Sequence, residues 1–406
     1  MSETSLPTVL VLASTYPRWA GDHEPGFVHE LAKRLTDRFQ VVAIVPSAPG
    51  ALPRETLDGV EVIRYRYAPR RLETLVNDGG IVTNLRGHPW KLLLVPGFVL
   101  AQAWRAWRVL RKRKVDVIHA HWLIPQGLIA MLLQKMSRRC PAYLVTSHGA
   151  DLFALRGRWL DALKRSVVRH AGAVTVVSQA MREELARIQA ETGKVSVQPM
   201  GVDLTERFTP DPATPRSNDE ILFVGRLVEK KGLRHLIDAM PAITTAVPMA
   251  HLTIAGFGPE ESTLRQQVTQ HGLDSCVKFI GAVSQEQLPA LYRRAAVFVA
   301  PFVQAVSGDQ EGLGLVCVEA AGCGCPIIVS DLPAVRDVLA AGDGCVRVPP
   351  ADMQSLAAAV VDVLGRLEVH RQGALKNREQ VVGRFDWGAV SSRYAGALGA
   401  CACNEA

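Results

Sequence analysis

The chain has 406 residues, 48% of them hydrophobic and 21% charged; that is too long for one ordinary core, suits two domains, and excludes a disordered or fibrous protein. The net charge of +7 is unevenly spread: residues 1–200 hold 28 Lys and Arg against 16 Asp and Glu, and the remainder holds 18 against 23. A basic first half suits an anionic partner, whether nucleic acid, a membrane surface or an acidic substrate.

Thr8–Ala13 is apolar and β-rich and reads as a buried first strand, followed by a Gly- and Pro-bearing loop through Tyr16-Pro17-Arg18-Trp19-Ala20-Gly21-Asp22. Phe27–Leu35 has helical spacing, with Phe27, Leu31 and Leu35 four apart. Val41–Val45, Val60–Arg66, Val115–His119, Tyr143–Thr146 and Ala173–Val177 are further strand candidates, each followed by a turn or helix. Continuous apolar strands between helices predict a parallel sheet covered on both faces. Trp90–Lys114 is a Trp-bearing apolar stretch ending in a basic cluster. It fits either a core helix with a solvated end or a helix lying in an anionic interface.

The pattern then restarts. Thr209–Asn218 is rich in Pro and Thr and is the expected linker region. Ile221–Val224 is a strand, Leu233–Met240 a helix, and Leu252–Ala255, Val277–Ile280, Val297–Ala300 and Pro326–Ser330 are strands. Two Rossmann-like domains with parallel sheets facing a central cleft are therefore expected, with ligands at the carboxyl ends of the strands. Residues 1–205 form the first, 206–384 the second, and a helical segment at 385–406 is a candidate to pack back on the first.

Two stretches carry the chemistry. In Gly225-Arg226-Leu227-Val228-Glu229-Lys230-Lys231-Gly232 a strand ends at a glycine, and Arg226 and Lys231 stand where an anionic group would lie. In Glu311-Gly312-Leu313-Gly314-Leu315-Val316-Cys317-Val318-Glu319 a Gly-rich loop opens an apolar helix, and the amides of Gly312, Leu313, Gly314 and Leu315 make an anion site at its start. A carboxylate repels a diphosphate, so Glu311 should face hydroxyls such as those of a sugar. Glu319 sits two turns into an apolar helix, where ribose hydroxyls or a neighbouring helix end could partner it.

Here the chain resembles glycosyltransferase family 4, the glycosyl transferases group 1, among the retaining GT-B enzymes. Glu311 and Glu319 match its E-x7-E motif, and Gly225-Arg226-Leu227 with Lys231-Gly232 resembles its donor-phosphate motif. Gly256-x-Gly258-Pro259, Met200-Gly201-Val202-Asp203, His148-Gly149-x-Asp151 and the first-loop pieces Ser14-Thr15-Tyr16-Pro17 and Pro25-Gly26-Phe27-Val28 are similar to its other motifs, in order. The family often has Asn where Met200 stands, and its first-loop double glycine is replaced by separated Gly21 and Gly26.

The resemblance implies that Arg226 and Lys231 hold the donor diphosphate. It implies that Glu311 contacts the donor sugar, Glu319 the ribose, and His148 the reacting carbon and sugar hydroxyls. Gly26, Asp151 and Gly258 are further implied contacts, and base choice falls to the backbone near Val283. The implied reaction moves a hexose from a UDP- or GDP-linked donor to a glycan or lipid-linked acceptor of cell-surface polysaccharide or glycolipid synthesis. Retention would follow from front-face attack, because both glutamates belong to the donor side rather than flanking one carbon as a glycosidase pair does.

No cofactor is expected. Metal independence is expected too, since no D-x-D triplet occurs and the cations do a metal's work. His119-Ala120-His121 resembles a metal pair but lacks a third ligand, and it reads as a cleft-lining loop. Ser178 lacks a G-x-S-x-G frame, and Gly256-x-Gly258 lacks the rest of a dinucleotide fingerprint. The eight cysteines, including Cys323-x-Cys325 and Cys401-x-Cys403, show neither a disulfide framework nor a zinc set and read as reduced cytosolic thiols. No leader is visible, because Val9–Ala13 is too short for one, and no run is long enough to span a bilayer.

The expected location is cytoplasmic, with the inner membrane face as a candidate docking surface and no nucleic acid. Competing readings are a sugar-nucleotide epimerase of the same shape, a nucleic-acid-binding protein using the basic half, and an inactive scaffold. No RNP-like pattern or recognition helix supports the second of these, and intact Arg226, Lys231, Glu311 and Glu319 argue against the third.

Overall fold

The computed structural model describes residues 6–19, 22, 26–76, 80–137, 140–339, 342 and 344–403. Gly21 and Pro25 of the first loop lie outside the described residues. The chain divides into two compact units, Met1–Met200 with Val390–Ala406, and Gly201–Ala389.

In unit 1 the elements run β1 Thr8–Leu12, α1 Phe27–Arg34, β2 Gln40–Pro46, β3 Arg54–Leu57, β4 Val60–Tyr65, α2 Gly80–Gly87, α3 Val95–Lys112 and β5 Val117–His121. They continue with α4 Leu128–Met136, β6 Tyr143–Ser147, α5 Ala150–Phe153, α6 Arg158–His170, β7 Ala173–Val176, α7 Gln179–Arg187 and β8 Val195–Val197. The sheet order is β3-β4-β2-β1-β5-β6-β7-β8. Every pairing is parallel except β3 with β4. The strands β1, β5 and β6 are buried along their whole length, as expected for a sheet with helices on both faces. The order reverses between β1 and β5. The loops after these two strands therefore flank the crevice where such sheets bind ligands.

Unit 2 contains β9 Glu220–Val224, α8 Leu233–Ala246, β10 His251–Ala255, α9 Glu261–Gln270, β11 Val277–Gly281, α10 Leu288–Arg294, β12 Val297–Ala300 and α11 Leu315–Gly322. They are followed by β13 Ile327–Ser330, α12 Pro333–Arg336, β14 Cys345–Val348, α13 Met353–Gly365 and α14 Leu367–Phe385. The order β11-β10-β9-β12-β13-β14 is parallel throughout, with its reversal between β9 and β12. Leu233, Leu236, Ile237 and Met240 of α8 pack with Leu356, Val360 and Val363 of α13 into one apolar cluster over the sheet. Thr209–Asn218 is pinned to this unit: Arg293 donates to the Thr209 carbonyl, and Arg216 to the carbonyls of Tyr292 and Ala295.

The last helix, α15 Trp387–Cys403, buries Val390, Tyr394, Leu398 and Cys401, a helical stripe facing unit 1. The Tyr394 hydroxyl donates to the Gln198 carbonyl at 2.9 Å. Among the described residues, no helix is long and apolar enough to cross a membrane.

Candidate active site

In unit 2, glycines let three loops meet at the carboxyl edge of the sheet. A Cβ on Gly256 (φ +149°) would lie 1.8 Å from the Gly225 carbonyl oxygen, and one on Gly232 (φ +67°) would lie 1.8 Å from that of Pro301. Only glycine allows such approaches. A Cβ on Gly258 would lie 2.3 Å from the Leu227 carbonyl oxygen. The loop after β12 is strapped to the turn after β9: Val303 N donates to the Lys230 carbonyl at 3.0 Å, Val306 N donates to Glu229 at 2.9 Å, and Lys230 Nζ donates to Asp309 at 3.3 Å.

Within this frame Lys231 Nζ donates to Glu311 Oε2 at 2.8 Å and lies 4.7 Å from the centre of the Phe302 ring. Glu311 Oε1 accepts from the amides of Gly312 and Gly314, each at 3.2 Å. Two of the amides expected to form an anion site are thus held by the chain's own carboxylate, which caps the loop into α11 across the left-handed Gly314 (φ +80°). Burial pushes the Glu311 carboxyl up, but the charges of Lys231 and Lys230 and the hydrogen bonds outweigh it and bring it down to about 2. Arg226 is half-buried just beyond β9. Leu313 is buried, Leu315 opens α11, and Val283 is half-buried in the loop after β11.

Glu319 is 7% exposed on α11 and accepts from the Tyr292 hydroxyl at 3.0 Å. Burial raises its carboxyl to about 7, against the opposing Tyr292 hydrogen bond. Tyr292 is fully buried between Phe208 and Phe298. It was not legible as a site residue, since 27 positions and another helix separate it from Glu319.

Unit 1 gathers a second set at the ends of β5 and β6. The His119-Ala120-His121 segment, expected as a loop, is instead the buried end of β5, because its register with β6 extends to His121 opposite Thr146. His119 Nε2 shares a hydrogen bond with Thr146 Oγ1 at 2.8 Å, and Thr146 with Thr175 at 2.6 Å. His121 Nδ1 and His148 Nε2 are 2.9 Å apart, and the His148 ring rests against Phe27 and Trp122, with centroids 4.8 and 5.0 Å away. Asp151 is 2% exposed and accepts from Leu123 N at 2.6 Å and from the Ser147 hydroxyl at 2.8 Å. Its Oδ2 fastens the loop after β5 to the segment after β6, and its Oδ1 accepts from Ser147 at the end of β6. Gly26 caps α1 just before Phe27. The first loop is held by a Tyr16–His29–Asp58 chain, at 2.7 and 2.9 Å. Among the described residues no group of three or more His, Cys, Asp or Glu is arranged to hold a metal.

Solved structures with this architecture include sucrose-phosphate synthase from Thermosynechococcus elongatus (TM-score 0.78, 22% identity, covering 96% of this chain and 98% of that one). Another is the Anabaena protein Alr3699/HepE in complex with UDP and glucose (TM-score 0.74, 18% identity, 97% and 99%). Both align over nearly their full length, and the pair of Rossmann-like units is thus the GT-B fold. The description "Glycosyltransferase Family 4" matches residues 27–206, and "Glycosyl transferases group 1" matches 205–373. The phosphatidyl-myo-inositol mannosyltransferase of Mycolicibacterium smegmatis is 31% identical over 284 residues, covering 68% of this chain and 69% of that one. The glycogen synthase of Mycobacterium tuberculosis is 28% identical over 383 residues, covering 91% and 88%. The chain belongs to glycosyltransferase family 4. It is a glycosyltransferase that moves a sugar from a nucleotide-diphosphate donor to an acceptor.

Proposed function

We propose that the protein is a retaining, metal-independent hexosyltransferase that takes a UDP- or GDP-linked sugar to a glycan or lipid-linked acceptor in cell-surface polysaccharide or glycolipid synthesis. The Lys231–Glu311 pair at the β9/β12 reversal carries this reading. A cation and a hydroxyl-accepting carboxylate stand together at the ligand edge of the sheet, and Arg226 follows β9 in the chain. The incoming diphosphate takes over Lys231 and engages Arg226, and Glu311 turns to the sugar hydroxyls. Glu319, held by Tyr292, takes the ribose. As the anomeric bond to phosphate breaks, the cations and loop amides stabilise the charge gathering on the leaving group. The acceptor hydroxyl attacks from that same face. His148 is assigned to the reacting carbon by its match to the family motif, and Asp151 keeps its loop in place. The names of two relatives, glycogen synthase and phosphatidyl-myo-inositol mannosyltransferase, support a glycan or lipid-linked acceptor.

The solvent side of the 89–112 segment supports docking to an anionic membrane. Leu93 is 82% exposed and Leu100 69%, Trp90, Trp104 and Trp107 are also exposed, and Arg108 and Arg111 lie over the Trp104 and Trp107 rings. An apolar, Trp-bearing face with flanking cations is what an interfacial helix presents.

A thermal-shift screen against UDP-, GDP-, ADP- and dTDP-sugars tests the donor assignment, because a ligand bound at 100 times its Kd stabilises by about 2.7 kcal/mol. A UDP- or GDP-sugar should raise the midpoint with EDTA present, and turnover should give a product of the donor's anomeric configuration. Stabilisation by none of the four, or activity that needs added Mg²⁺ or Mn²⁺, refutes the reading.

A further inference from the structure

We infer that His121 is a positioning residue for sugar transfer: its Nδ1 fixes which way the His148 imidazole faces. The inference rests on the reading above, in which His148 meets the reacting sugar.

The His121 and His148 rings are within 7° of parallel with centroids 5.2 Å apart, and the joining nitrogens are 2.9 Å apart. Each nitrogen lies one ring radius from its centroid, so these lengths fit only if the two rings lie edge to edge on one line. This is an in-plane hydrogen bond between coplanar imidazoles, not a face-to-face stack. In-plane approach is the direction in which an imidazole N–H donates and a ring lone pair accepts.

The other contacts of His148 cannot do this work. Phe27 and Trp122 confine the ring but do not distinguish its two edges. A flip of χ2 exchanges a carbon for a nitrogen at nearly constant shape. The loops are fastened through Trp122 N, which donates to the Thr146 carbonyl at 2.7 Å, and through Asp151, but those bonds hold backbone. Of the hydrogen bonds described here, the one to His121 alone selects an edge of the His148 ring. It also ties the two tautomers together, since one nitrogen must donate and the other accept.

His121 is itself immobile. It is 1% exposed at the end of a central strand, with the His119 ring centroid 4.1 Å away. His119 is anchored in turn through Thr146 and Thr175. Burial, with His119 and His148 close by, holds the His121 ring well below the usual imidazole range, so it stays neutral. A neutral, buried, pre-oriented partner costs no reorganisation at the moment of reaction.

Three single variants and one double variant test this with donor and acceptor kinetics and thermal midpoints. His121→Leu keeps the volume apolar and the fold stable but removes the bond, so kcat should fall roughly 10- to 100-fold, the effect expected of a misdirected group, with donor KM within about threefold. His121→Asn can place its amide nitrogen near the Nδ1 position and should keep kcat within about fivefold, although its smaller side chain lowers the midpoint. Activity that follows hydrogen bonding rather than stability supports the proposal. His148→Ala should be at least as impaired as His121→Leu, and the double variant no worse than His148→Ala. A His121→Leu enzyme with near-normal kcat, or a His121→Asn enzyme as impaired as His121→Leu, overturns the proposal and leaves the His148 reading standing. An active His148→Ala enzyme overturns that reading, and the proposal with it. A double variant clearly worse than His148→Ala shows His121 acting by another route and overturns the proposal alone.

Discussion

Replacing Glu319 with glutamine should make the protein more stable above neutral pH while weakening donor binding. The Glu319 carboxyl is raised from its ordinary 4.5 to about 7 by burial. A carboxyl raised on folding contributes stability below its unfolded value and loses it as pH rises through the folded one. Wild type and Glu319→Gln should therefore unfold alike near pH 4 and diverge between about 4.5 and 7. Above that, the variant leads by about 3 kcal/mol, from roughly 1.4 kcal/mol per pH unit. For a unit of this size that corresponds to roughly 6–12 °C in the melting of unit 2.

Glu311→Gln provides the opposite window. Its carboxyl is depressed to about 2, so wild type should lead this variant above pH 4.5, and the lead should shrink as pH falls towards 2. The assay is thermal or urea unfolding of the three proteins across pH 3–8, read as differences so that the other titrating groups cancel. A flat Glu319→Gln minus wild-type curve, or one of opposite slope, would show that Glu319 is not a neutralised buried acid and would refute the reasoning.

Two further outcomes follow from the same geometry. Tyr292→Phe removes the hydroxyl that supports the ionised Glu319, a hydrogen bond to charge of roughly 1.5–3 kcal/mol. The pH at which donor affinity reaches its half-maximum should move upward, measured as Kd against pH by calorimetry, and an unmoved profile would separate Glu319 ionisation from donor binding. Leu93→Glu with Leu100→Glu should abolish co-sedimentation with phosphatidylserine or phosphatidylglycerol vesicles at low salt while leaving the melting midpoint within a degree or two, because both side chains face solvent. Wild type that ignores such vesicles would refute membrane docking.

The strands were legible because period and apolar runs are local signals. Val297–Ala300 was read to the residue, and most other strands to within one or two. The short β3, with its polar Arg54-Glu55-Thr56, carries no apolar run and was not legible, nor was the α8 helix beyond Met240, since it runs on through Pro241. At the site, residue types could be picked out but not their partners. Lys231 meets Glu311 across 80 positions, and His121 meets His148 across 27. Those pairings depend on how neighbouring parallel strands align, which no window of sequence contains. His121 was misread for the same reason: alternating His-Ala-His looks like a loop pair until its register with β6 shows a buried strand end.

Unit 1 is discontinuous in the chain, and this has a consequence for synthesis. Its first fifteen elements emerge from the ribosome before any of unit 2, whereas α15 follows unit 2. Until then the Gln198 carbonyl and the Thr146–Thr175 hydroxyls wait for Tyr394, and the pocket beside Gly172 waits for Cys401. A nascent chain stalled after residue 389 therefore holds a complete unit 2 and an unfinished unit 1. The half that carries His121 and His148 is therefore completed only after unit 2 has been made, so a nonsense codon that removes α15 would leave the unit encoded hundreds of codons upstream unfinished.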